Sequence, residues 1–165
     1  MRTTGSLTAL LTAVLLLCAG CALADAQQTD AAALDQDFPQ SSLQITGTDA
    51  KLHTFRVWVA DNEPRRNRGL MFVKHMDANA GMLFIYSRPQ QVAMWMKNTD
   101  LPLDMLFVAA SGRVLRIAAN TTPQSLDTIE SGGEVLAVIE LNAGIAAKLG
   151  IRAGAQVIHP AFLTR

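Results

Sequence analysis

Polar and apolar side chains alternate along residues 43–45 and 55–59. A period of two residues is typical of β-strands that bury one face in a core. Four further stretches have the same β character, and they cover residues 82–85, 92–96, 103–109 and 113–118. Arg88-Pro89 is expected to separate the first two of them as a break between strands. Residues 135–141 are apolar on both faces except at Glu140, which predicts a strand buried on both sides.

Two short helices are expected among these strands. Asp61 or Asn62 can cap the first helix, whose first turn accepts Pro64 and which Gly69 can end. Arg65, Arg66 and Arg68 lie on this helix. They could hold an anionic ligand, although a solvated helix face is the more ordinary meaning of such a cluster.

The second helix is expected over residues 143–149, with Asn142 as its cap. The dipeptide Ser111-Gly112 predicts a hairpin between two of the strands. Many short strands with two short helices predict a mainly β (α+β) fold. We expect a small closed or partly closed antiparallel β-barrel, because closure removes exposed strand edges.

The first 24 residues have the pattern of a signal peptide: a basic residue, an apolar run over residues 7–17, and then small residues. The run is shorter than the roughly 20 apolar residues of a membrane-spanning helix. Two fates are open. Cleavage after Ala24 would release a soluble chain, whereas the sequence around Cys21 is similar to a lipoprotein signal that ends before a lipidated Cys21. Either fate predicts an extracytoplasmic protein, in the periplasm or anchored through Cys21.

Residues 25–42 are rich in Ala, Gln, Asp and Ser, which predicts a flexible acidic linker, and residues 43–165 are expected to form one domain. Residues 25–50 carry five acidic residues and no basic one. Residues 51–165 carry 13 basic and nine acidic residues, so the domain is only mildly basic. So weak an excess argues against nucleic acid as a partner.

Several kinds of chemistry lack their usual motifs. Both cysteines, Cys18 and Cys21, fall in the signal segment, which leaves the domain without a thiol. The three histidines, His53, His75 and His159, lack the close spacing of zinc sites. No serine has a nucleophile elbow around it, and no glycine-rich phosphate loop follows a strand. No metal, cofactor or catalytic residue is therefore expected.

Five ordered blocks of the chain resemble the family called domain of unknown function 192. They are Gly69-Leu70-Met71-Phe72, Gly81-Met82-Leu83-Phe84, Trp95-Met96-Lys97-Asn98-Thr99, the run from Pro102 to Phe107, and Glu140-Leu141-Asn142-Ala143-Gly144. The resemblance covers about residues 55–158. It implies a small β-barrel-type domain, often behind a signal sequence, in a family without an established activity.

The best candidate for a site is the segment from Trp95 to Asp104, because it concentrates an indole, a cation, amide and hydroxyl groups and two carboxylates. We expect ligand contacts from six residues: Trp95, Lys97, Asn98, Asp104, Arg66 and Glu140. The structural alternative is that Trp95 fills the core, that Asn98 builds a turn with its neighbour, and that Lys97 lies along the surface.

Asp104 and Glu140 each lie beside apolar strands, where an unpaired carboxylate costs several kcal/mol. As a pair they could perform the acid–base chemistry of a hydrolase, provided that they lie within about 5 to 10 Å of each other. The structural alternative is that Asp104 accepts N–H groups of the turn at residues 97–99 and that Glu140 pairs with Arg66 or Arg68.

The leading hypothesis is an exported binding module without catalytic activity. Its partner would be a small molecule, a glycan or an envelope protein, and it would touch the membrane only through a lipid on Cys21. The alternatives are the hydrolase that uses Asp104 and Glu140, and a purely structural accessory protein whose polar groups are all satisfied internally.

Overall fold

The computed structural model describes residue 30 and residues 32–163. Seven strands form one sheet in the order β5-β4-β6-β3-β2-β1-β7. Their bounds are β1 Gln40–Thr46, β2 Leu52–Ala60, β3 Ala80–Met94, β4 Leu103–Val108, β5 Val114–Ala118, β6 Ile129–Asn142 and β7 Val157–Ile158. Three short helices accompany the sheet within the described residues: α1 (residues 32–37), α2 Glu63–Arg68 and α3 Ile145–Lys148. A 3₁₀ turn covers Pro160–Phe162.

The sheet curls into a half-barrel that stays open, which confirms the mainly β, partly closed fold. Its two edge strands approach each other at one end, where a single bridge joins Arg113 to Gln156. The expected antiparallel arrangement holds for every strand pair except β2 and β3, which run parallel. Parallel neighbours need a crossover connection. This crossover carries α2, and so it places the arginines of α2 beside the face of the sheet.

Both faces of the curled sheet are buried, because alternate residues of its central strands face two different clusters. On β4, Met105 and Phe107 join one cluster, while Leu106 and Val108 join the other. Every residue of β4 is buried, and so are residues 135–141 of β6. The strand predicted to be buried on both sides is therefore confirmed.

The structure corrects the expected linker over its described part. Residues 32–37 are helical, and Leu34 and Phe38 are 1% and 3% exposed within the core. Asp35 accepts a hydrogen bond of 2.7 Å from the indole of Trp58. Leu34 and Phe38 are four positions apart, so one side of this short segment packs on the sheet. The ordered domain thus begins before residue 43.

Strand β3 joins two stretches that were expected to be separate strands. Arg88-Pro89 was interpreted as a break, but the ladder with β6 only skips a few residues there, between the pairs Ile85–Ala137 and Gln90–Val135. Proline cannot donate a ladder hydrogen bond and is accepted at such irregular positions. The result is one bent strand of 15 residues.

The two expected helix caps have different outcomes. Asn62 caps α2 as expected, since its side chain accepts the N–H of Arg65 at 3.0 Å. Asn142 does not cap α3, because it is the last residue of β6 and its amide donates to the carbonyl of Met76 at 2.8 Å. Gly144 precedes α3 instead.

The expected signal peptide and the lipidation of Cys21 lie outside the described residues, as do residues 25–29 and residue 31 of the expected linker. No helix in the described part of the chain is long and apolar enough to span a membrane.

Candidate functional site

A cleft of about 260 Å³ opens between α2 and the segment that follows β3. One wall is residues 66–71, which end α2 and begin the next loop. The opposite wall is formed by Ala93, Met94, Trp95, Lys97 and Thr99, and the floor includes Phe84 and Glu140. The residues of the two walls and the floor are hereafter called the cleft. Of the six expected contacts, Arg66, Trp95, Lys97 and Glu140 line it, whereas Asn98 and Asp104 do not.

The α2 wall carries two half-buried arginines that are held by carbonyl groups and aromatic rings. Arg66 donates to the carbonyl of Ile85 at 3.0 Å, and its guanidinium lies 5.3 Å from the ring centre of Tyr86. Arg68 donates to the carbonyls of the loop just after α2, and lies 5.6 Å from the ring centre of Phe72. These contacts fix both guanidinium groups at the cleft.

The loop after α2 turns sharply beside the floor of the cleft. Gly69 has a φ of 47°, and a Cβ atom there would lie 3.3 Å from the ring of Phe84. Phe72 also has a positive φ, of 66°, which is uncommon for a bulky residue. Its N–H donates to the carbonyl of Asn98 at 2.9 Å, so the two walls are joined by a backbone hydrogen bond.

The opposite wall presents an indole and an ammonium group to solvent. Trp95 is 52% exposed, so the alternative that it fills the core is wrong. The Lys97 ammonium lies 5.2 Å from the centre of the Trp95 ring, a distance typical of a cation–π contact. The expected turn is confirmed, because the N–H of Thr99 donates to the carbonyl of Met96 at 3.1 Å and Asn98 has a φ of 55°. Asn98 therefore forms part of the turn that positions this wall, and its side chain does not line the cleft.

Glu140 lies on the floor, in the middle of β6, and is 4% exposed. Its cross-strand partners are Met82 on β3 and Met105 on β4, so apolar side chains flank it on both sides. Among the described residues, no group forms a hydrogen bond or an ion pair with its carboxyl group. Burial raises the pKa of Glu140 to about 8. The expected pairing with Arg66 or Arg68 is therefore wrong, and the group is mostly protonated at neutral pH.

The fixed charges of the cleft are positive. Arg66, Arg68 and Lys97 form no ion pair within the described residues, although Arg65, one position away on α2, pairs with Asp61 at 2.9 Å. Burial raises the pKa of the Tyr86 hydroxyl to about 12, so this neighbour stays neutral as well.

Asp104 has a structural role elsewhere in the domain. It is fully buried, and its two oxygens accept the backbone N–H groups of Asn120 and Ala146, both at 2.9 Å. The acceptor role was expected, but the donors are not those of the turn at residues 97–99. Asp104 is the partner of Leu141 across the β4–β6 ladder, whereas Glu140 is the partner of Met105.

Successive residues of a strand point to opposite faces of the sheet, so Asp104 and Glu140 face opposite sides. The carboxylate pair required by the hydrolase alternative is not formed. Within residues 32–163, no three His, Cys, Asp or Glu side chains are grouped as metal ligands.

Sequence reasoning missed Tyr86 and Phe84 as members of the site. Both are two residues apart on β3, and a strand period of two places them on one face together with the core. An aromatic pair on a predicted strand normally belongs to the core. That the cleft opens above Phe84 and Tyr86 depends on the crossover through α2, which the sequence does not show.

The family model of domain of unknown function 192 (DUF192), described as "Uncharacterized ACR", matches residues 44–159. The chain belongs to this family, which confirms the resemblance found in the sequence. Four of the five blocks that carry the resemblance supply residues to the cleft: those that contain Gly69, Phe84, Trp95 and Glu140.

Two solved structures have the same fold. A candidate transcription regulator from Sinorhizobium meliloti 1021 is 35% identical, with a TM-score of 0.73, over 75% of this chain and 96% of that protein. A protein of unknown function from Novosphingobium aromaticivorans DSM 12444 is 38% identical, with a TM-score of 0.70, over 73% of this chain and 85% of that protein. No curated protein matches the chain.

Proposed function

We propose that this chain is an exported binding protein without catalytic activity, and that its cleft holds a small ligand between α2 and Trp95. One observation carries the proposal: the same cleft contains a half-exposed indole, three cations without ion pairs among the described residues and a buried carboxyl group without a partner there. Concave sites with a few convergent polar groups and a perturbed pKa are the usual places of ligand binding.

A purely structural role has less support. It requires that the polar groups of the cleft are satisfied internally, yet the Glu140 carboxyl group has no partner within the described residues. Such a group costs several kcal/mol of stability unless something compensates it. A bound ligand that contacts this carboxyl group supplies the compensation.

Export is supported by the pattern of the first 24 residues. A protein outside the cytoplasm meets small solutes, glycans and envelope proteins. The cleft volume of about 260 Å³ lies below the 300 Å³ or more of typical drug-sized sites, and it therefore favours a small solute over the other two.

A thermal-shift screen of small solutes and short glycans against the full chain tests the proposal. Four proteins are screened side by side: wild type, Trp95→Ala, Lys97→Ala and the control Lys148→Ala, which changes an exposed lysine on α3. We expect at least one compound to raise the Tm of wild type and of the control, and to leave the Tm of both cleft variants unchanged. Shifts that survive in both cleft variants, or a screen without any shift, would remove the proposal.

A further inference from the structure

The cations of the cleft have no carboxylate partner among the described residues, whereas the neighbouring Arg65 on the same helix has one. Outside the cleft, Arg65 pairs with Asp61, and Arg56 lies 3.8 Å from Asp35 and 3.6 Å from Asp77. Arg66, Arg68 and Lys97 have no carboxylate partner in the described part of the chain. A guanidinium has five N–H donors, and the hydrogen bond from Arg66 to Ile85 uses only one of its nitrogens. The α2 wall thus has donors available for an anion.

The floor of the cleft does not repel an anion. With a pKa of about 8, Glu140 carries its proton at neutral pH and can donate one hydrogen bond. Tyr86, which also lines the cleft, is neutral under the same conditions. A carboxyl group that is buried on an apolar strand can therefore face an anionic oxygen as a donor, in the same cleft as two guanidinium groups.

The rest of the lining is apolar. Leu70, Phe84 and Met94 line the cleft between the two walls, and the Trp95 ring is half exposed at its rim. Leu70 and Phe84 are already buried, but a purely ionic ligand such as a free inorganic ion would leave the exposed surfaces of Met94 and Trp95 in contact with water. A ligand with an apolar or planar part would bury them, at a gain of about 25 cal/mol per Å².

We propose that the ligand is a small organic acid: its carboxylate lies against Arg66, Arg68 and the Glu140 carboxyl group, and its apolar part packs on Trp95. This inference rests on the proposed function, because it names the class of molecule that the same cleft takes.

Matched acid and amide probes test this class. Benzoate and isobutyrate are titrated into the full chain by calorimetry at pH 7, together with their neutral amides benzamide and isobutyramide. Small probes bind weakly because each atom contributes at most about 1.5 kcal/mol, so millimolar concentrations are used. We expect each acid to bind at least about 10-fold more tightly than its amide, since hydrogen bonds to charged groups contribute roughly 1.5 to 3 kcal/mol.

Two neighbouring arginines provide a matched pair of variants. Arg66→Gln removes a cation of the cleft, and we expect it to weaken benzoate binding by about 10-fold or more. Arg65→Gln removes the ion-paired neighbour outside the cleft and should leave binding unchanged. If Arg66→Gln does not fold, Arg68→Gln against the control Arg65→Gln makes the same comparison.

The pH dependence gives a second readout. Between pH 7 and pH 9 the Glu140 carboxyl group loses its proton and becomes an anion that repels the ligand. Arg66, Arg68, Lys97 and Tyr86 face the same cleft, and the guanidinium charges do not change in this range. We expect benzoate binding to weaken toward pH 9 in wild type and to lose this weakening in Glu140→Gln.

The outcomes separate this inference from the proposed function. Amides that bind as tightly as their acids, with both lost in Trp95→Ala, would overturn the organic acid and leave a binding module. The absence of binding by any probe, together with a solute screen that gives no shift, would overturn both.

Discussion

Asp104 and Glu140 are buried carboxylic acids on adjacent strands, and their surroundings differ in hydrogen bonding. Asp104 accepts two backbone N–H groups at 2.9 Å, one on each carboxyl oxygen. Glu140 has apolar cross-strand neighbours, and no described residue forms a hydrogen bond with its carboxyl group. Burial raises the pKa of Glu140. Two residues that look alike in the sequence therefore have different roles. Asp104 holds the backbone in place, and Glu140 lies at the floor of the cleft, where a ligand can contact it.

The stability of the protein should fall as the pH rises through the titration range of Glu140. Between its ordinary pKa of 4.5 and its folded value of about 8, the folded state holds a proton that the unfolded state has released. Glu140→Gln carries no charge in either state. We therefore expect it to be more stable than wild type at pH 9, by on the order of a few kcal/mol, and to match wild type near pH 4.5.

Urea unfolding at pH 5, 7 and 9 measures this difference. The exposed residue Glu134, on the same strand, provides the control variant Glu134→Gln, which should not change the slope of stability against pH. An equal slope in wild type and Glu140→Gln would contradict the assignment of the buried proton.

Replacing Asp104 by asparagine should destabilise the fold without affecting the cleft. In Asp104→Asn, one carboxylate oxygen becomes an NH₂ group that faces a backbone N–H, so one acceptor is lost. We expect a loss of about 1 to 3 kcal/mol in the free energy of unfolding. The exposed Asp127→Asn serves as its control.

The same variant distinguishes a structural Asp104 from a catalytic or ligand-binding one. Benzoate affinity of the folded Asp104→Asn protein should equal that of wild type, measured by titration well below its Tm. A loss of affinity at unchanged stability would assign Asp104 to the site after all.

Among the elements, the strands were the easiest to predict from the sequence. Their period of two is a local property, and the buried strand over residues 135–141 needs no partner to be recognised. The break expected at Arg88-Pro89 was wrong because proline is excluded only from regular ladder positions, and the irregular pairing of β3 with β6 depends on both strands. The parallel pairing of β2 and β3 likewise depends on where the chain crosses the sheet.

Helix α1 was missed because its apolar content is low: Leu34 and Phe38 stand among alanine and polar residues. Such a segment gains its stability from the surface that it covers, in this case the face of the sheet around Trp58, and not from its own sequence. This surface exists only after the sheet has formed.

Leu34→Ala tests whether this segment belongs to the domain. Leu34 is 1% exposed, so we expect its truncation to cost about 2 to 5 kcal/mol of the free energy of unfolding. Leu126→Ala, which truncates a leucine that is 69% exposed, should change stability by less than about 0.5 kcal/mol. If the two variants are equally stable, the segment around Leu34 does not contribute to the domain, and the flexible linker expected from the composition would be the better interpretation.

For the molecule as a whole, the blocks that reveal the family also build the cleft. The sequence was sufficient to nominate Arg66, Trp95, Lys97 and Glu140, because polar groups beside apolar strands are conspicuous. It could not show that Asp104 faces the other side of the sheet, since this depends on the register between β4 and β6. The sequence presents Asp104 and Glu140 as equally good candidates, and only the three-dimensional structure shows that, of the two, Glu140 alone lines the cleft.

Export should leave a processed chain in the extracytoplasmic fraction of a bacterial host. If signal peptidase cuts after Ala24, the intact mass will correspond to a soluble chain without residues 1–24. If Cys21 is lipidated, the protein will be membrane-bound, and Cys21→Ser will abolish this attachment. An unprocessed chain in the cytoplasm would contradict export in either form.

The most direct test is the crystal structure of the full chain soaked with 4-bromobenzoate, whose bromine is located by anomalous scattering. We predict a bromine peak in the cleft beside Trp95, with the carboxylate of the probe against Arg66 and Glu140. An empty cleft, or a probe bound only at another surface, would contradict the idea that this cleft receives a small organic acid.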